Sequence, residues 1–231
     1  MASRVSAAVI RRLPRYYHLV ESLHSRGILR VSSTELASYL GYTASQVRQD
    51  FSCFGGFGQQ GYGYNTEILR DRLAEILHLH DGYRGVIVGM GHMAHSLLAD
   101  GVFERNGVRM IAFFDTNPDK IDQVTDGVTV LDAARLEAFC AEFRPEIAVL
   151  TCPAEAAQRT ADILVKCGVR GIWNFTDTDV QTADTTAVEN VHLADSLMTL
   201  CCRIPAAQEA VEGLPLAERL ALRVFSPLGN R

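Results

Sequence analysis

Apolar residues recur at helical spacing in the first fifty-five residues, and short polar segments separate the groups they form. One helix is predicted from the apolar positions Leu13, Tyr16, Tyr17, Leu19, Val20 and Leu23. A second, shorter helix is predicted after Ser32, because Glu35 three residues later completes a capping-box pattern and Gly41 supplies an end.

A third helix is predicted over "TASQVRQDF", where Thr43 and Gln46 repeat the capping pattern and Val47 and Phe51 face inward. Two short capped helices after a longer one form a helix-turn-helix grouping, with an ordinary three-helix bundle as the alternative. The last helix of such a grouping places its N-terminal residues in the DNA major groove. The candidate groove-facing residues are Thr43, Ser45, Gln46, Arg48 and Gln49.

The stretch "FGGFGQQGYGYN" follows this helix, and its alternation of aromatic residues and glycines predicts two short strands joined by a glycine-rich tip. A hairpin at this place is typical of a winged helix, because glycine lets the backbone approach a phosphate or a minor groove. A flexible linker is the alternative. Further candidate DNA contacts are Ser32, Ser33, Gln59, Gln60 and Tyr62.

Charge is distributed unevenly along the 231 residues, whose formal net charge is −5. Residues 1–72 hold nine arginines, no lysine and five acidic residues, so nine positive less five negative charges leave +4. A basic N-terminal part on an acidic remainder is expected when one domain meets phosphates and the other does not. This favours double-stranded DNA as the partner of the N-terminal part.

Composition points to a cytoplasmic protein with its thiols reduced. No apolar run approaches the roughly 18 residues of a membrane span, so we expect no membrane partner. The early arginines follow a very short apolar patch, which is the reverse of the order in a secretory signal. The six cysteines contain no C-x-x-C pair and fit no zinc or disulfide scaffold, so no metal is predicted.

A second domain is predicted from "VIVGMGHMAHSLL", in which Gly89, Gly91 and Ala94 occupy the three positions of a dinucleotide-binding turn between a strand and a helix. The next strand, "VRMIAFFD", ends in Asp115, where an acid can bind the two hydroxyls of an adenosine ribose. An acid there favours NAD(H) over its 2′-phosphorylated form. A simple turn role for Asp115 is the alternative.

Strands and helices then alternate, which predicts a doubly wound parallel α/β sheet of Rossmann type. The predicted elements are a strand at 128–131, a helix at 132–143, strand 146–151, helix 155–167, strand 171–175, a strand near Val188 and helix 191–203. Ligands bind such sheets beyond the carboxyl ends of the strands. The candidate cofactor residues are therefore Gly89, Met90, Gly91, His92, Met93, Ala94, Asp115, Thr116, Thr151, Cys152, Pro153, Asn174 and Phe175. The predicted division is 1–80 for the winged helix, 81–190 for the Rossmann domain and 191–231 for a C-terminal helix with a frayed tail.

With both halves assembled, the chain resembles the Rex family of redox-sensing transcriptional repressors. The resemblance is carried in order by "RRLPRYYHLVESL", the helix-wing stretch from Ser32 to Asn65, "VIVGMGHMAHSLL", "FFDTNPDKI", "IAVLTCPAEAAQ", "GIWNF" and "VENVHLADSL". It implies a homodimer that exchanges its C-terminal helix, and operator DNA that is released when NADH binds. An NAD-dependent oxidoreductase is the alternative from another class, but the loops at 151–153 and 174–177 offer no His, Lys or Tyr as acid or base, so no catalytic residue is predicted.

Some positions depart from the family pattern. An inter-subunit network usually joins an arginine of helix one, a tyrosine ending the first Rossmann helix and an aspartate of the C-terminal helix; here His18, Asp100 and His192 stand there. The wing tip carries Gln59 and Gln60 instead of a basic residue. A regulator on the same scaffold that senses another nucleotide, or that does not respond to NADH, is therefore a further alternative.

Overall fold

The computed structural model describes residues 5–55, 57, 62–182 and 185–212. Contacts divide the chain into two compact units, Met1–Tyr83 with Asp100–Arg109 (the first unit) and Arg84–Ala99 with Met110–Arg231 (the second unit). Across the described ranges, no helix is both long enough and apolar enough to span a membrane.

The helices and strands of the described residues follow in chain order. The helices are α1 (Ala7–Ser25), α2 (Ser33–Leu40), α3 (Ala44–Ser52), α4 (Thr66–Ile76), α5 (His92–Asp100), α6 (Val102–Arg105), α7 (Leu136–Phe143), α8 (Ala154–Lys166) and α9 (Leu193–Glu212). The strands are β1 (Arg30–Val31), β2 (Tyr64–Asn65), β3 (Tyr83–Val88), β4 (Val108–Asp115), β5 (Val124–Thr125), β6 (Val128–Asp132), β7 (Ile147–Leu150), β8 (Gly171–Asn174) and β9 (Ala187–Asn190).

The first unit contains the three predicted helices, packed around one apolar core. Tyr16, Val20, Leu36, Val47 and Phe51 are all buried in it, so α1 and α3 contribute apolar positions that were predicted, and α2 contributes Leu36. The core gives α3 a fixed inner face and leaves its other side to solvent.

Hydrogen bonds at the helix starts account for the boundaries of α2 and α3. The Ser32 hydroxyl accepts from the Glu35 amide at 3.1 Å, and the Glu35 carboxylate accepts from the Ser32 amide at 2.7 Å. The Thr43 hydroxyl likewise accepts from the Gln46 amide at 3.1 Å. The predicted return bond from the Gln46 side chain is absent from the described contacts. A neutral amide lacks the attraction to the helix dipole that the Glu35 carboxylate has.

The predicted hairpin differs from the structure. The described strand after α3 is β2, and it pairs antiparallel with β1, with Val31 opposite Tyr64. Phe54 and Gly55 form a turn instead of the first strand of the predicted hairpin. Phe54 and Phe57 pack against the core instead, with the Phe57 ring 5.0 Å from that of Phe51. Burial of these rings therefore decides the local structure. The wing-tip residues Gln59 and Gln60 lie outside the described residues.

Helix α4 was not predicted from the sequence. Its cap is Asn65, whose side chain accepts from the Ile68 amide at 3.0 Å, and Leu69 and Leu73 are buried against the other helices. The cap and the spacing of Leu69 and Leu73 are the signals that could have revealed it.

The second unit is a seven-stranded sheet in the order β5-β6-β4-β3-β7-β8-β9. Its described pairings are parallel except that β5 pairs antiparallel with β6 at one edge. Strand β3 is central and buried from Gly85 to Val88, as are Phe113, Phe114 and Val149 on the neighbouring strands. The carboxyl ends of β3, β4, β7 and β8 therefore meet at one edge of the sheet, where the predicted site residues stand.

Several predicted bounds in the second unit shift by one or more residues. The predicted helix at 132–143 begins as a 3₁₀ turn at Ala133–Arg135, which the Asp132 carboxylate caps by accepting from the Ala134 amide at 2.9 Å. Strand β8 ends at Asn174, one residue early. Helix α9 continues to Glu212 through the start of the predicted frayed tail, because an alanine- and glutamate-rich stretch outweighs the single Pro205.

Candidate functional site

The turn after β3 brings two backbone segments into very close contact. Gly89 has φ +100°, and a Cβ placed on it would lie 2.6 Å from the backbone nitrogen of Cys152. The Thr151 hydroxyl donates to the Gly89 carbonyl at 2.6 Å, which holds the two segments together. Only glycine combines this φ with this contact.

Gly91 is glycine for a different reason. A Cβ on Gly91 would meet no protein atom within 4 Å, and its φ is not in the left-handed region. Packing within the chain therefore does not require glycine here. Open space beside the N-terminus of α5 does fit a phosphate approaching the amides of the helix start.

Asp115 ends β4 and fixes the backbone of this turn. Its carboxylate accepts from the Met90 amide at 2.8 Å, the Asn117 amide at 2.8 Å and the Lys120 ammonium at 3.1 Å. Burial alone would raise the pKa of Asp115, but the bonds from Asn117, Lys120 and Met90 outweigh it and leave the pKa below its ordinary value. A carboxylate has about four acceptor sites, so one remains for a ribose hydroxyl.

The remaining predicted residues of this turn lie on either side of the helix start. Ala94 and Met90 are buried, and Met93 and Gly91 are half-buried, whereas His92 and Thr116 are exposed. His92 and its neighbour His95 join no group of potential metal ligands in the described chain. They are solvent-facing polar residues of α5.

The loop after β7 holds Thr151, Cys152 and Pro153, and Pro153 directly precedes α8. Cys152 is half-buried, and burial raises the pKa of its thiol. The group is therefore protonated at neutral pH, which disfavours a reactive thiolate at this position.

Asn174 organises the loop that follows β8. It is fully buried; its amide nitrogen donates to the Thr178 carbonyl at 2.7 Å and to Asn190 at 2.8 Å. Its amide oxygen accepts from the Thr176 amide and hydroxyl at 3.1 and 2.7 Å. All the hydrogen-bonding capacity of this side chain is used within the protein. Phe175 is half-buried, with its ring 4.5 Å from that of Trp173, and keeps one part open to solvent.

On the first unit, α3 presents a polar outer side. Ser45, Arg48 and Gln49 are exposed, and Gln46 is half-buried. Arg48 donates to the Ser33 hydroxyl of α2 at 3.0 Å, so the guanidinium is held beside the two helices. The hydroxyls of Ser32 and Thr43 accept cap bonds from backbone amides.

Tyr62 precedes β2 and is 71% exposed. Arg30 of β1 donates to the Tyr62 carbonyl at 3.2 Å, which orders the backbone beneath this ring. An aromatic hydroxyl therefore stands in solvent at the base of the predicted wing.

Sequence reasoning missed the buried ion pair that ties α1 to α3. The Asp50 carboxylate accepts from Arg12 Nε and Nη2, both at 2.7 Å, and from the Tyr16 hydroxyl at 2.8 Å. The hydrogen bond to Asp50 raises the pKa of Arg12, while burial, followed by the Asp50 bond, raises the pKa of Tyr16. The sequence signal that could have revealed this pair is Asp50 itself, an acidic residue three positions after Val47 on the apolar face of α3.

Each half of the chain matches a known protein family. A family described as "Putative DNA-binding protein N-terminus" matches residues 4–52, and one described as "CoA binding domain" matches residues 81–178. A redox-sensing transcriptional repressor Rex from Caldicellulosiruptor bescii is 46% identical over 200 residues, covering 87% of this chain and 92% of its own. The chain belongs to the Rex family.

Other Rex proteins support this assignment. The Rex repressor of Caldanaerobacter subterraneus is 46% identical over 200 residues, covering 87% of this chain and 89% of its own. The structure of the Rex-family repressor RSP with NAD⁺ and operator DNA matches with a TM-score of 0.83 at 42% identity, over 91% of this chain and 97% of RSP. RSP with NADH gives the same TM-score at 39% identity, over 91% and 99%. The predicted family, the DNA-binding domain with a Rossmann-like sheet, and a repressor instead of an enzyme are confirmed.

The three residues that depart from the Rex pattern each have their own surroundings within the described chain. His18 is exposed on α1, with its ring 5.7 Å from that of Tyr17, and Asp100 forms an ion pair with Arg105. His192 contacts the Asp179 carboxylate at 2.8 Å, and this hydrogen bond raises the pKa of His192. Whether the three meet in an assembled repressor stays a prediction.

Proposed function

We propose that this Rex chain binds operator DNA through residues 1–80 and NAD(H) through residues 81–190, and that NADH releases it from the operator. The cofactor assignment rests on the turn after β3. There the Asp115 carboxylate accepts a hydrogen bond from the Met90 amide, and the space beside Gly91 is open. A pyrophosphate fits that space and a ribose fits the remaining acceptor site of Asp115. RSP, a relative with the same fold, was solved with NAD⁺ together with operator DNA.

In this proposal the candidate cofactor residues act in two groups. Gly89, Gly91, Ala94, Asp115 and their neighbours bind the adenosine diphosphate half, which NADH and NAD⁺ share. The loops at 151–153 and 174–175 lie towards the nicotinamide. Because the Asn174 side chain is already saturated, its role there is to shape the loop, and the partly open Phe175 ring supplies the contact surface.

The DNA-binding half of the proposal rests on the outer side of α3. Ser45, Gln46, Arg48 and Gln49 read base edges or phosphates, and Ser33 holds Arg48 in place. Ser32, Thr43 and Tyr62 flank this surface, with Gln59 and Gln60 completing the wing.

The proposed function also requires that the protein is a homodimer, which acts in the cytoplasm. Helix α9 exposes an apolar stripe at the spacing of one helix face, formed by Leu193, Leu197, Leu200 and Ile204, each 47% to 62% exposed. Such a stripe marks an interaction surface. Exchange of residues 191–231 between subunits would cover it, and two DNA-reading units would then face two half-sites.

The test is operator binding by the purified full chain. The probe is a labelled duplex that the chain itself selects from a random-sequence pool, followed by anisotropy while NADH, NAD⁺, NADPH or ATP is added. We expect NADH to release the duplex at far lower concentration than the other three. Full release from 99% to 1% bound requires about 10⁴-fold tighter binding of NADH to the free form. Failure to select any duplex, or release that is equal for NADH and NAD⁺, would contradict the proposal.

Two variants locate the cofactor site in the same assay. Asp115→Ala removes the anchor of the Met90 amide and should abolish release by NADH while leaving duplex binding in place. Asp119→Ala is the matched control, because Asp119 is an exposed acid on the same loop. The alternative, a regulator that reads another nucleotide, is favoured by the changed residues His18, Asp100 and His192, and predicts release by ATP or NADPH instead.

A further inference from the structure

Arg15 of α1 makes two contacts with one aromatic side chain. Its Nη1 donates to the Tyr42 hydroxyl at 2.8 Å, and its guanidinium carbon lies 5.2 Å from the centre of the Tyr42 ring. Contact with the ring face and a hydrogen bond to the hydroxyl together restrict the rotamers of a long side chain. The guanidinium of Arg15 is thus held in one place although it is exposed.

In the part of the chain that the structure describes, this guanidinium has no acidic partner, unlike those of Arg12 and Arg70. Arg12 is paired with Asp50, and Arg70 with Asp71. Within the described ranges, no carboxylate forms an ion pair with Arg15. Nor does any described residue accept the hydrogen of the Tyr42 hydroxyl, which accepts from Arg15 and so keeps its own proton to donate. The pair therefore offers an ordered positive charge and a hydroxyl donor with no anion bound within the chain.

The pair stands beside the start of α3. Tyr42 immediately precedes Thr43, the residue that caps α3, and its ring packs edge-on to that of Tyr16 at 5.8 Å. Tyr16 is in turn bonded to Asp50 of α3, so the pair and the helix belong to one rigid arrangement. The N-terminal end of a recognition helix is the end that enters the groove, which brings adjacent residues to the sugar-phosphate backbone.

We propose that Arg15 and Tyr42 form a phosphate-binding pair that contacts the DNA backbone next to the start of α3. The proposal rests on the proposed function. Arginine and tyrosine both contact DNA phosphates, and such contacts add affinity without reading sequence. The free guanidinium donors and the Tyr42 hydroxyl hydrogen bind oxygens of one phosphate.

The experiment is the salt dependence of duplex binding by the full chain, measured on a selected duplex and on a scrambled one. One phosphate contact contributes about 0.9 to the slope of log affinity against log salt. Arg15→Ala should therefore lower that slope by about one and weaken both duplexes about eightfold at 0.1 M salt. Arg15→Lys should restore the slope because it restores the charge. Tyr42→Phe should keep the slope and weaken both duplexes about two- to tenfold, since only a hydrogen bond is lost.

Arg26→Ala is the matched control, because Arg26 ends the same helix, is also exposed and carries the same charge. It lies about 16 Å further along the helix axis. A slope change for Arg15→Ala no larger than for Arg26→Ala would overturn the inference while leaving operator binding intact. Loss of the selected duplex alone would overturn it as well, since a base contact or a distorted α3 would then be responsible. If the wild-type chain binds neither duplex, the proposed function itself fails.

Discussion

The buried ion pair between α1 and α3 allows a quantitative prediction. Asp50→Asn keeps the size of the side chain but removes the charge that Arg12 faces and turns an acceptor into a donor. Asp50 is 3% exposed and Arg12 19% exposed, so water cannot replace the one carboxylate oxygen that becomes an NH₂ group, and the bonds to that oxygen are lost. The substitution leaves a largely buried guanidinium and a buried tyrosine hydroxyl competing for one amide oxygen.

The expected loss follows from this geometry. Removing one member of a buried pair costs about 3–5 kcal/mol, and the partial exposure of Arg12 places the loss near the lower end, about 3 kcal/mol. With a urea dependence of roughly 1–3 kcal/mol per molar, the unfolding midpoint of the first unit should fall by about 1–3 M. Asp71→Asn is the matched control, because Asp71 pairs with Arg70 but is 56% exposed; a surface pair contributes at most about 1 kcal/mol.

The assay uses two signals from the full chain. Trp173 is the single tryptophan and lies in β8, so its fluorescence follows the second unit, whereas far-ultraviolet circular dichroism follows both units. For Asp50→Asn we expect an early loss of dichroism and an unchanged fluorescence midpoint. A loss in unfolding free energy within about 0.5 kcal/mol of the Asp71→Asn control would refute the reasoning about the buried pair.

Two further predictions concern the second unit. Gly89→Ala places a methyl group 2.6 Å from the Cys152 nitrogen, so it should weaken NADH binding at least about tenfold, or 1.4 kcal/mol. Gly168→Ala is the control, because Gly168 has a similar φ of +84° but no atom within 4 Å of an added Cβ. In a fluorescence titration this control should keep its NADH affinity, although it should lose stability. The hydrogen bond to Asp179 raises the pKa of His192, so the pair stabilises the fold. This stabilisation is fully present below pH 6.5, the ordinary pKa of histidine, and it disappears as the pH rises through the higher pKa of the folded state. Asp179→Asn should lower the His192 pKa in an NMR titration and remove this part of the pH dependence of stability; an unchanged pKa would contradict it.

The local pattern of the sequence was sufficient for most helices of the first unit. Capping residues such as Ser32 and Thr43 act on backbone amides within four residues, so their effect can be predicted without knowledge of the fold. The first strand of the predicted wing was wrong for the opposite reason. Its aromatic residues alternate with glycines as in a hairpin, but the Phe57 ring packs against that of Phe51 in the core, and the strand partner of Tyr64 is the distant Val31.

Pairing over long sequence distances explains what else was missed. Asp50 looked like a polar residue of α3, and only the packing of α1 gave it Arg12 as a partner 38 residues away. Likewise, the bond from the Met90 amide to Asp115 and the bond from Asn174 to Asn190 depend on segments joined by the sheet.

The sequence by itself determined the family, the fold class and the identity of the turn at Gly89–Gly91, because short-range spacing and backbone requirements are written into neighbouring residues. The tertiary structure alone decided which polar groups were already satisfied and which remained available, such as the donors of Arg15 and Tyr42. That distinction depends on distances between residues far apart in the chain, which packing of the apolar core fixes and local pattern does not encode.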